Sequence, residues 1–424
     1  RLPWSAQPDV VVGVFARDHG ALVPARQVAS TKSWLSNALV DRTAPLLPWG
    51  VEGGPRLSPV DASTRILTHF REAWNHVHAG DGDSQRLERL PIVVTVPASF
   101  DEEARELTVE AARAAGFETL RLLEEPLAAL YAWIAAHRAS LGELIAANAL
   151  ILVCDVGGGT TDFSLIRAGE EDGELTFERI AIGEHLLLGG DNLDLALAVR
   201  MEQKFGSNAK LTLGQRQTLR RKCSAAKELL LADPDRESVQ ITILGAGRGV
   251  VGGGMTATLA RDEVIEALTE GFLPLTARDD LPARDRRTGL RELGLPYEPE
   301  PAITKHLAAF LDRAAAQAGG EVKPTAVLFN GGFFTPAIAR ERVLDALASW
   351  FGGRPVVLDN PRPEAAVAVG AAFYGRLVQD PAAARRLLIR AGSARTYYVG
   401  VAAEDPGVRS AVCVMPRGTQ EGTR

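Results

Sequence analysis

Two short apolar runs joined by a glycine-rich turn constrain the fold of this chain more than any other stretch. The first run, residues 150–154, ends at Asp155, and the second, residues 163–166, begins directly after Asp162. Short apolar runs bounded by turn residues predict buried strands, and glycines between two such runs predict a tight hairpin. The hairpin would bring the two aspartates together at its tip.

The turn itself has the composition of an anion site. Gly157, Gly158 and Gly159 carry no side chains, so their backbone N–H groups can converge on an anion, and Thr160 and Thr161 add hydroxyl donors. A carboxylate on each side suits a phosphate chain that carries Mg²⁺. An ordinary glycine-rich hairpin with surface aspartates is the alternative. The combination of all these residues favours phosphate binding.

Length and composition set outer limits on fold and function. A chain of 424 residues is too long for one ordinary core, so we expect two or more lobes. The net charge of −6 and the lack of a basic tract argue against nucleic acid as the main partner. No apolar run is long enough to span a membrane. Cys154, Cys223 and Cys413 are far apart, which predicts free thiols in a reducing compartment, the cytoplasm.

Apolar periodicity along the rest of the chain predicts alternating strands and helices, an α/β pattern. Strands are predicted at 10–17, 91–96, 120–123, 177–182, 239–244, 255–259, 325–329 and 355–358, with two more at 397–401 and 411–415. Helices are predicted to start near 28–35, to cover 61–78, 99–116, 219–231 and 303–318, and to begin near 126, 191, 336 and 363. A glycine-rich loop at 247–252 and a charged stretch at 279–301 are expected to be irregular.

Three local features invite a second reading. Ser99, with Glu102 three residues later, predicts a capping box at a helix start. Glu125 begins another helix, where a carboxylate either complements the helix dipole or points into a site. Arg17 closes the first predicted strand, and that segment alone favours a solvated surface arginine.

The glycine motifs stand in an order that resembles a known superfamily. DVGGGTTD, FNGG and PEAAVAVGAA, preceded by the EEP helix, are similar to the motifs of actin-like ATPases. Within that superfamily, VVTVPASF, EEPLAALYAW, DVGGGTTDFSLI and GGDNLD look most like the seventy-kilodalton heat-shock chaperone family of DnaK type, here a divergent bacterial-type member. The resemblance covers roughly residues 10–380. The final VCVMPRGTQEGT is similar to the first strands of that family's peptide-binding β domain.

The resemblance implies a two-lobed actin-like ATPase fold with ribonuclease-H-like βαβ cores and a short all-β start at the C-terminus. Residues 1–380 would form the ATPase domain, with lobe I at about 1–145 plus 361–380 and lobe II at about 146–360. Residues 381–424 would hold a linker and the first β strands. The implied function is slow ATP hydrolysis that controls peptide binding. The implied ligands are ATP or ADP, Mg²⁺ and, as a second cation, K⁺, and the implied partners are unfolded or peptide clients, a J-domain co-chaperone and a nucleotide-exchange factor.

The resemblance also implies roles for single residues. Asp155 would bind Mg²⁺ through water, Asp162 would lie near the attacking water, and Glu125 matches the family's glutamate–proline pair. The implied nucleotide contacts are Gly157, Gly158, Gly159, Thr160 and Thr161 in the phosphate turn, Gly189 and Gly190 in the GGDNLD turn, and Lys227, Gly331, Gly332 and Glu364 on the adenosine side.

Some positions depart from the family pattern. Arg17 aligns with the family's active-site lysine, and a guanidinium is a planar fork that cannot give up its proton. Ser224 stands where the family has a glutamate that contacts adenosine, and Phe333 and Phe334 replace small polar residues. We expect the family's first phosphate loop to precede residue 1. Two alternatives therefore stay open: a nucleotide-binding scaffold or regulator with little hydrolysis, and a small-molecule kinase of the same superfamily.

Overall fold

A computed structural model describes residues 2–20, 23–50, 53–80, 82–206, 211–244, 254–283, 295–392, 396–401, 410–416 and 419. Its helices are α1 (Val14–Gly20), α2 (Thr31–Leu35), α3 (Pro59–Trp74), α4 (Glu102–Ala114), α5 (Glu125–Ala136), α6 (Leu141–Leu144), α7 (Gly190–Lys204), α8 (Leu213–Ala232), α9 (Arg261–Glu266), α10 (Ile303–Ala318), α11 (Ala337–Phe351), α12 (Pro363–Leu377) and α13 (Pro381–Leu387). Its strands are β1 (Ile92–Val96), β2 (Leu120–Glu124), β3 (Leu150–Val156), β4 (Thr161–Glu171), β5 (Glu174–Ile182), β6 (Ser238–Ile243), β7 (Met255–Ala260), β8 (Ala326–Asn330), β9 (Val356–Leu358), β10 (Tyr397–Val401) and β11 (Ser410–Met415).

A five-stranded sheet forms the centre of the structure, in the order β5-β4-β3-β8-β9. The first three of these strands are antiparallel, and β3, β8 and β9 run parallel. Strand β3 has neighbours on both sides, and Ile151, Leu152 and Val153 are fully buried. A strand covered on both faces reads as a continuous apolar run, which explains the sequence of β3. The predicted α/β class is confirmed.

A second, smaller α/β unit precedes this sheet. Strands β1 and β2 pair in parallel, connected by α4, and β2 leads directly into α5. Helix α12 packs closely on α5: a Cβ on Gly370 would lie 1.7 Å from the carbonyl oxygen of Ala128. The small residues of α12 therefore allow two helix backbones to approach each other, although the two helices lie more than 200 residues apart in the chain.

The predicted strand at 10–17 is wrong. Residues 14–20 form α1, and Val14 and Phe15 are 64% and 58% exposed. Apolar residues predict a strand only where a sheet can cover them. Here the local run of valines was not covered by a sheet, so the pattern was misleading.

The predicted capping box at Ser99 is also wrong. The N-cap of α4 is Asp101, whose side chain accepts a hydrogen bond from the N–H of Ala104. Asp101 is in addition bound by both terminal nitrogens of buried Arg42, at 2.7 and 2.6 Å. The two interactions together fix the start of α4 and leave Ser99 for another role.

The other predicted elements are confirmed, most closely in α10, which covers 303–318 as predicted. The hairpins β3–β4, β6–β7 and β10–β11 form as antiparallel pairs. The start of the expected linker, residues 381–387, forms helix α13. The glycine loop at 247–252 lies outside the described residues, as does part of the 279–301 stretch.

All three cysteines are free thiols, as predicted, with Cys154 and Cys223 buried. None of the described helices combines the length and the apolar character needed to cross a membrane.

The contact between α5 and α12 gives a stability prediction. Gly370→Ala should destabilise the protein by about 2 kcal/mol, because the new methyl group overlaps the backbone of α5. The matched control is Gly271→Ala in the helical turn after α9, where a Cβ meets nothing within 4 Å and helix propensity favours alanine. Chemical denaturation of both variants measures the difference. Equal stability of the two would contradict the close approach.

Candidate functional site

The tip of the β3–β4 hairpin brings two carboxylates together. Asp155 lies directly opposite Asp162 in the strand register, and their residues are only 8% and 3% exposed. The four-residue turn between the strands, 157–160, closes with a hydrogen bond from the N–H of Gly157 to the carbonyl of Thr160. The predicted hairpin and the predicted meeting of the two aspartates are both present.

Asp155 is held from the neighbouring parallel strand. The side-chain amide of Asn330, at the end of β8, donates to Oδ1 of Asp155 at 3.0 Å, and Asn360 donates in turn to Oδ1 of Asn330 at 3.2 Å. The chain then turns at Gly331, which has a φ of +85° and lies so close to β3 that a Cβ would be 2.1 Å from the carbonyl oxygen of Val156. Only glycine fits this turn.

Asp162 is held from the β1–α4 connection. Ser99 donates two hydrogen bonds to Oδ1 of Asp162, from its backbone N–H at 3.2 Å and from its hydroxyl at 2.6 Å. The same hydroxyl lies 2.6 Å from Nδ1 of His185, which follows β5. Ser99 therefore joins the small α/β unit to the central sheet at this carboxylate.

A lysine and a third carboxylate lie beside the aspartates. Nζ of Lys32, on α2, is 2.7 Å from both carboxylate oxygens of Glu125, at the start of α5. Burial lowers the pKa of Lys32, but the charge and hydrogen bonds of Glu125, with smaller contributions from Asp155 and Asp162, outweigh it and raise the pKa. Lys32 is thus the ammonium group of this site.

The carboxylates repel one another. Burial, followed by the charges of Glu125 and Asp162, raises the pKa of Asp155. Burial raises the pKa of Asp162 to about 6, although the hydrogen bond from the Ser99 side chain and the charge of Lys32 lower it. Three carboxylates against one ammonium group leave a negative site, which a bound cation would relieve.

The glycine turn packs against the start of α7. The N–H groups of Gly190 and Asp191 donate to the carbonyls of Gly157 and Gly158, at 3.0 and 2.7 Å. A Cβ on Gly189 would lie 2.6 Å from both of these carbonyl oxygens. On the other side, a Cβ on Gly159 would lie 2.6 Å from Oγ of Ser33, so α2 also contacts the turn.

Most of the predicted site residues lie in or next to this cluster, but Arg17 and four others have different surroundings. Thr161 donates its hydroxyl to the carbonyl of Leu188, so it fastens the hairpin instead of adding a donor at the turn. Lys227 pairs with Asp194 at 2.7 Å. Glu364 is an exposed residue in the first turn of α12. Gly332 begins the short helical turn after Gly331.

Arg17 is not part of the cluster, and its assignment to the site is wrong. Its side chain is 66% exposed and pairs with its neighbour Asp18 at 3.0 Å. Lys32 is the cationic residue beside the aspartates, where Arg17 had been expected. The sequence feature that could have pointed to Lys32 is its position in the short VASTKSWL segment, which was predicted to begin a helix. Ser99, His185 and Asn330 were missed because each reaches the site through a partner far away in the sequence.

The residues fit a nucleotide that carries a magnesium ion. Buried carboxylates with raised pKa values suit a cation, and the turn beside them is shaped by glycine. Within the described ranges, no three side chains of His, Cys, Asp or Glu converge to bind a metal directly. Mg²⁺ typically keeps several waters and binds through one or two carboxylates plus phosphates, so this donor set suits it.

The raised pKa of Asp162 predicts a pH-dependent stability. The folded protein binds this proton more tightly than the unfolded chain, so the stabilisation is complete below pH 3.8 and is lost as pH rises through about 6. Asp162→Asn removes the charge but keeps an acceptor for Ser99. In metal-free, nucleotide-free protein it should add about 3 kcal/mol at pH 8 and little at pH 4.

Urea unfolding from pH 4 to 8 measures this difference, with Glu106→Gln, an exposed carboxylate on α4, as the control. A difference that does not change with pH would contradict the buried charge at Asp162.

Comparison with known proteins places the site in a family. The family model described as "Hsp70 protein" matches residues 7–278, which include the hairpin, Lys32, Ser99 and Glu125. Relatives named "Chaperone protein HscA homolog" are 31% identical over 378 residues in Pseudomonas putida (85% of this chain, 50% of the relative) and 31% over 366 residues in Bordetella pertussis (84% and 48%). One from Pseudoalteromonas atlantica is 34% identical over 243 residues (54% and 36%).

The chain spans about half the length of the curated relatives that it matches over most of its own length. Because the Hsp70 model matches more than half of its 424 residues, the chain belongs to the Hsp70 family.

Proposed function

We propose that this chain is the nucleotide-binding part of an Hsp70-type chaperone, which binds ATP, hydrolyses it slowly and uses its nucleotide state to control peptide binding. The observation that carries the proposal is the cluster at the hairpin tip: two buried, opposed aspartates beside a glycine turn and a lysine–glutamate pair. The HscA relatives, named as chaperones, support the same assignment.

The glycine turn would hold the phosphates. The backbone N–H groups at 158–160 would face the anion, since that of Gly157 already closes the turn, and Gly158 and Gly159 have no side chains to obstruct its approach. The pairing of the turn with Gly190 and Asp191 keeps it rigid, which suits a cradle that must not rearrange on binding. Thr160 adds a hydroxyl at the end of the turn.

Each charged group would have its own role in hydrolysis. Lys32 would stabilise negative charge on the terminal phosphate, and Asp162 would orient the attacking water and accept its proton. Asp155, held by Asn330, would bind Mg²⁺ through water, and K⁺ is a second candidate cation. Mg²⁺ supplies charge neutralisation at the phosphates. Glu125 would hold Lys32 in place, since it contacts the ammonium group through both oxygens.

The adenosine end would lie along β8 and α8. Gly331 and Gly332 follow β8, the strand next to β3, and Nζ of Lys227 would lie 3.7 Å from a Cβ on Gly190 at the start of α7. We assign Lys227 and the two glycines to the nucleoside side. Glu364 would face the base from the start of α12.

We further propose two lobes around a cleft, lobe I at about 1–145 plus 361–380 and lobe II at about 146–360. The packing of α12 on α5 supports the grouping of the 361–380 segment with the first lobe. Lys32, Ser99 and Glu125 would approach the hairpin from lobe I. Closing of the cleft around the nucleotide would then be a hinge motion.

Contacts of Arg179 suggest how nucleotide state reaches the C-terminal end. This arginine, on β5, binds Glu124, the residue before Glu125, and also donates to the carbonyl of Gly392 at 2.8 Å. Arg390 bridges to β5 through backbone bonds with Phe177 and Arg179. A movement of Glu125 would therefore shift Glu124 and Arg179, and with them the segment that leads to the β10–β11 hairpin.

We propose that this hairpin begins a peptide-binding β domain. Several of its apolar side chains are more than 40% exposed, namely Tyr398, Val399, Val401, Val412 and Val414, as expected of strands that need further cover. The partners would be unfolded or peptide clients, a J-domain co-chaperone and a nucleotide-exchange factor. The three free thiols suit the cytoplasm.

Neither of the two alternative functions, a nucleotide-binding scaffold with little hydrolysis or a small-molecule kinase, has a supporting observation in the described part of the chain. A binder with little hydrolysis was motivated by Arg17, which lies outside the cluster, and by Phe333 and Phe334, which are buried in the core near Phe329. A small-molecule kinase would need a carboxylate to activate an acceptor, and nothing marks a further one in the cluster.

The contrast between two cationic residues tests the proposal. In full-length protein, Lys32→Ala should slow single-turnover ATP hydrolysis by on the order of 10²-fold, because it removes the ammonium group beside the aspartates. Arg17→Ala, the matched control, should keep the wild-type rate. Circular dichroism and ADP affinity check that both variants fold. Equal effects of the two substitutions, or an inactive wild type, would contradict the proposal.

A further inference from the structure

Ser99 lies between Asp162 and His185 and touches both. Its hydroxyl oxygen is 2.6 Å from Oδ1 of Asp162 and 2.6 Å from Nδ1 of His185, and the serine is 5% exposed. A hydroxyl can donate to one neighbour and accept from the other, and can reverse both roles. The three side chains therefore form a short hydrogen-bonded chain that leads away from the aspartate pair.

The far end of this chain reaches a cavity. Ser99 and His185 line a cavity of about 260 Å³ between the β1–α4 connection, the end of β5 and α10. His185 also lines a larger adjoining cavity of about 580 Å³, and its ring packs edge-on against Phe100 at 6.0 Å between centroids. The histidine thus stands between the buried carboxylate and these two cavities.

Other charged groups face His185 across these cavities. Glu184, its neighbour in sequence, pairs with Arg313 of α10 at 3.5 Å. The remaining titratable groups that line the larger cavity are Glu298, His306 and Asp312. Asp312 is itself paired with Arg278 at 2.9 Å.

We propose that His185 is a positioning residue that acts through Ser99, holding the Asp162 carboxylate in place and taking up the proton that Asp162 receives during hydrolysis. This inference rests on the proposed ATPase function.

The proton and electron balance of the step closes within these residues. A lone pair of the attacking water forms the new bond to the terminal phosphorus, and the bond to the bridging oxygen breaks with its electrons leaving on ADP. The water's proton passes to Asp162. The neutral imidazole of His185 carries its hydrogen on Nε2 before the step, so Nδ1 can accept. Asp162 then donates to Oγ of Ser99 while the Ser99 hydroxyl turns and gives its own proton to Nδ1 of His185. The histidine holds the proton as an imidazolium, which loses it to solvent before the next turnover.

Three substitutions separate a proton acceptor from a structural contact. His185→Ala should slow single-turnover hydrolysis by about 10²-fold with ADP affinity unchanged within about 2-fold. His185→Asn can still hydrogen-bond Ser99 but cannot hold a proton, so it should be equally slow. Gln317→Ala, which lines the same cavity on α10, is the control and should behave as wild type.

Added imidazole gives the decisive readout. In His185→Ala it should restore a rate that saturates with imidazole concentration and follows the neutral form as pH changes, and it should do nothing in His185→Asn. A wild-type rate in His185→Asn, or an Ala variant that imidazole does not rescue, would overturn the inference. An inactive wild type would instead overturn the proposed function, so the two failures are distinguishable.

Discussion

The pairing of Asp155 with Asp162 across the β3–β4 hairpin is the constraint on which the site depends. Side chains alternate between the faces of a strand, so a slip of one residue would send one carboxylate to the opposite face of the sheet. The register is secured by the buried apolar residues of β3 and by Thr161, whose hydroxyl binds the carbonyl of Leu188. The glycine turn follows from that register, because only four residues remain to join the strands.

Bringing two carboxylates together in a buried place costs stability, and the surrounding residues offset part of that cost. Asn330 donates to Asp155, Ser99 donates twice to Asp162, and Lys32 contributes a positive charge while bound to Glu125. These partners come from separate parts of the chain, from α2 to β8. Burial, with repulsion from neighbouring carboxylates added to it, keeps the pKa of both aspartates raised, so the empty site favours protons and a cation would replace them.

Local sequence pattern predicted the elements whose signals lie within one short window. The β3–β4 hairpin and helix α10 are examples, since their apolar spacing and turn residues are contiguous. The residues that were missed or misassigned depend on distant contacts. Lys32 meets Glu125 across 93 positions and Ser99 meets Asp162 across 63, whereas Arg17 sits in a valine-rich run that no sheet covers. A pattern read along the chain carries no information about which helix will pack against the hairpin.

The most direct test of this account is calorimetric titration of full-length protein with ADP, with and without Mg²⁺, in buffers of different ionisation enthalpy. If the aspartates bind protons in the empty site and yield them to the ion, Mg²⁺ should tighten ADP binding by about 10-fold or more and release protons. Asp155→Asn should lose both effects. Equal affinity with and without Mg²⁺, with no proton release, would contradict the assignment of this cluster as the nucleotide site.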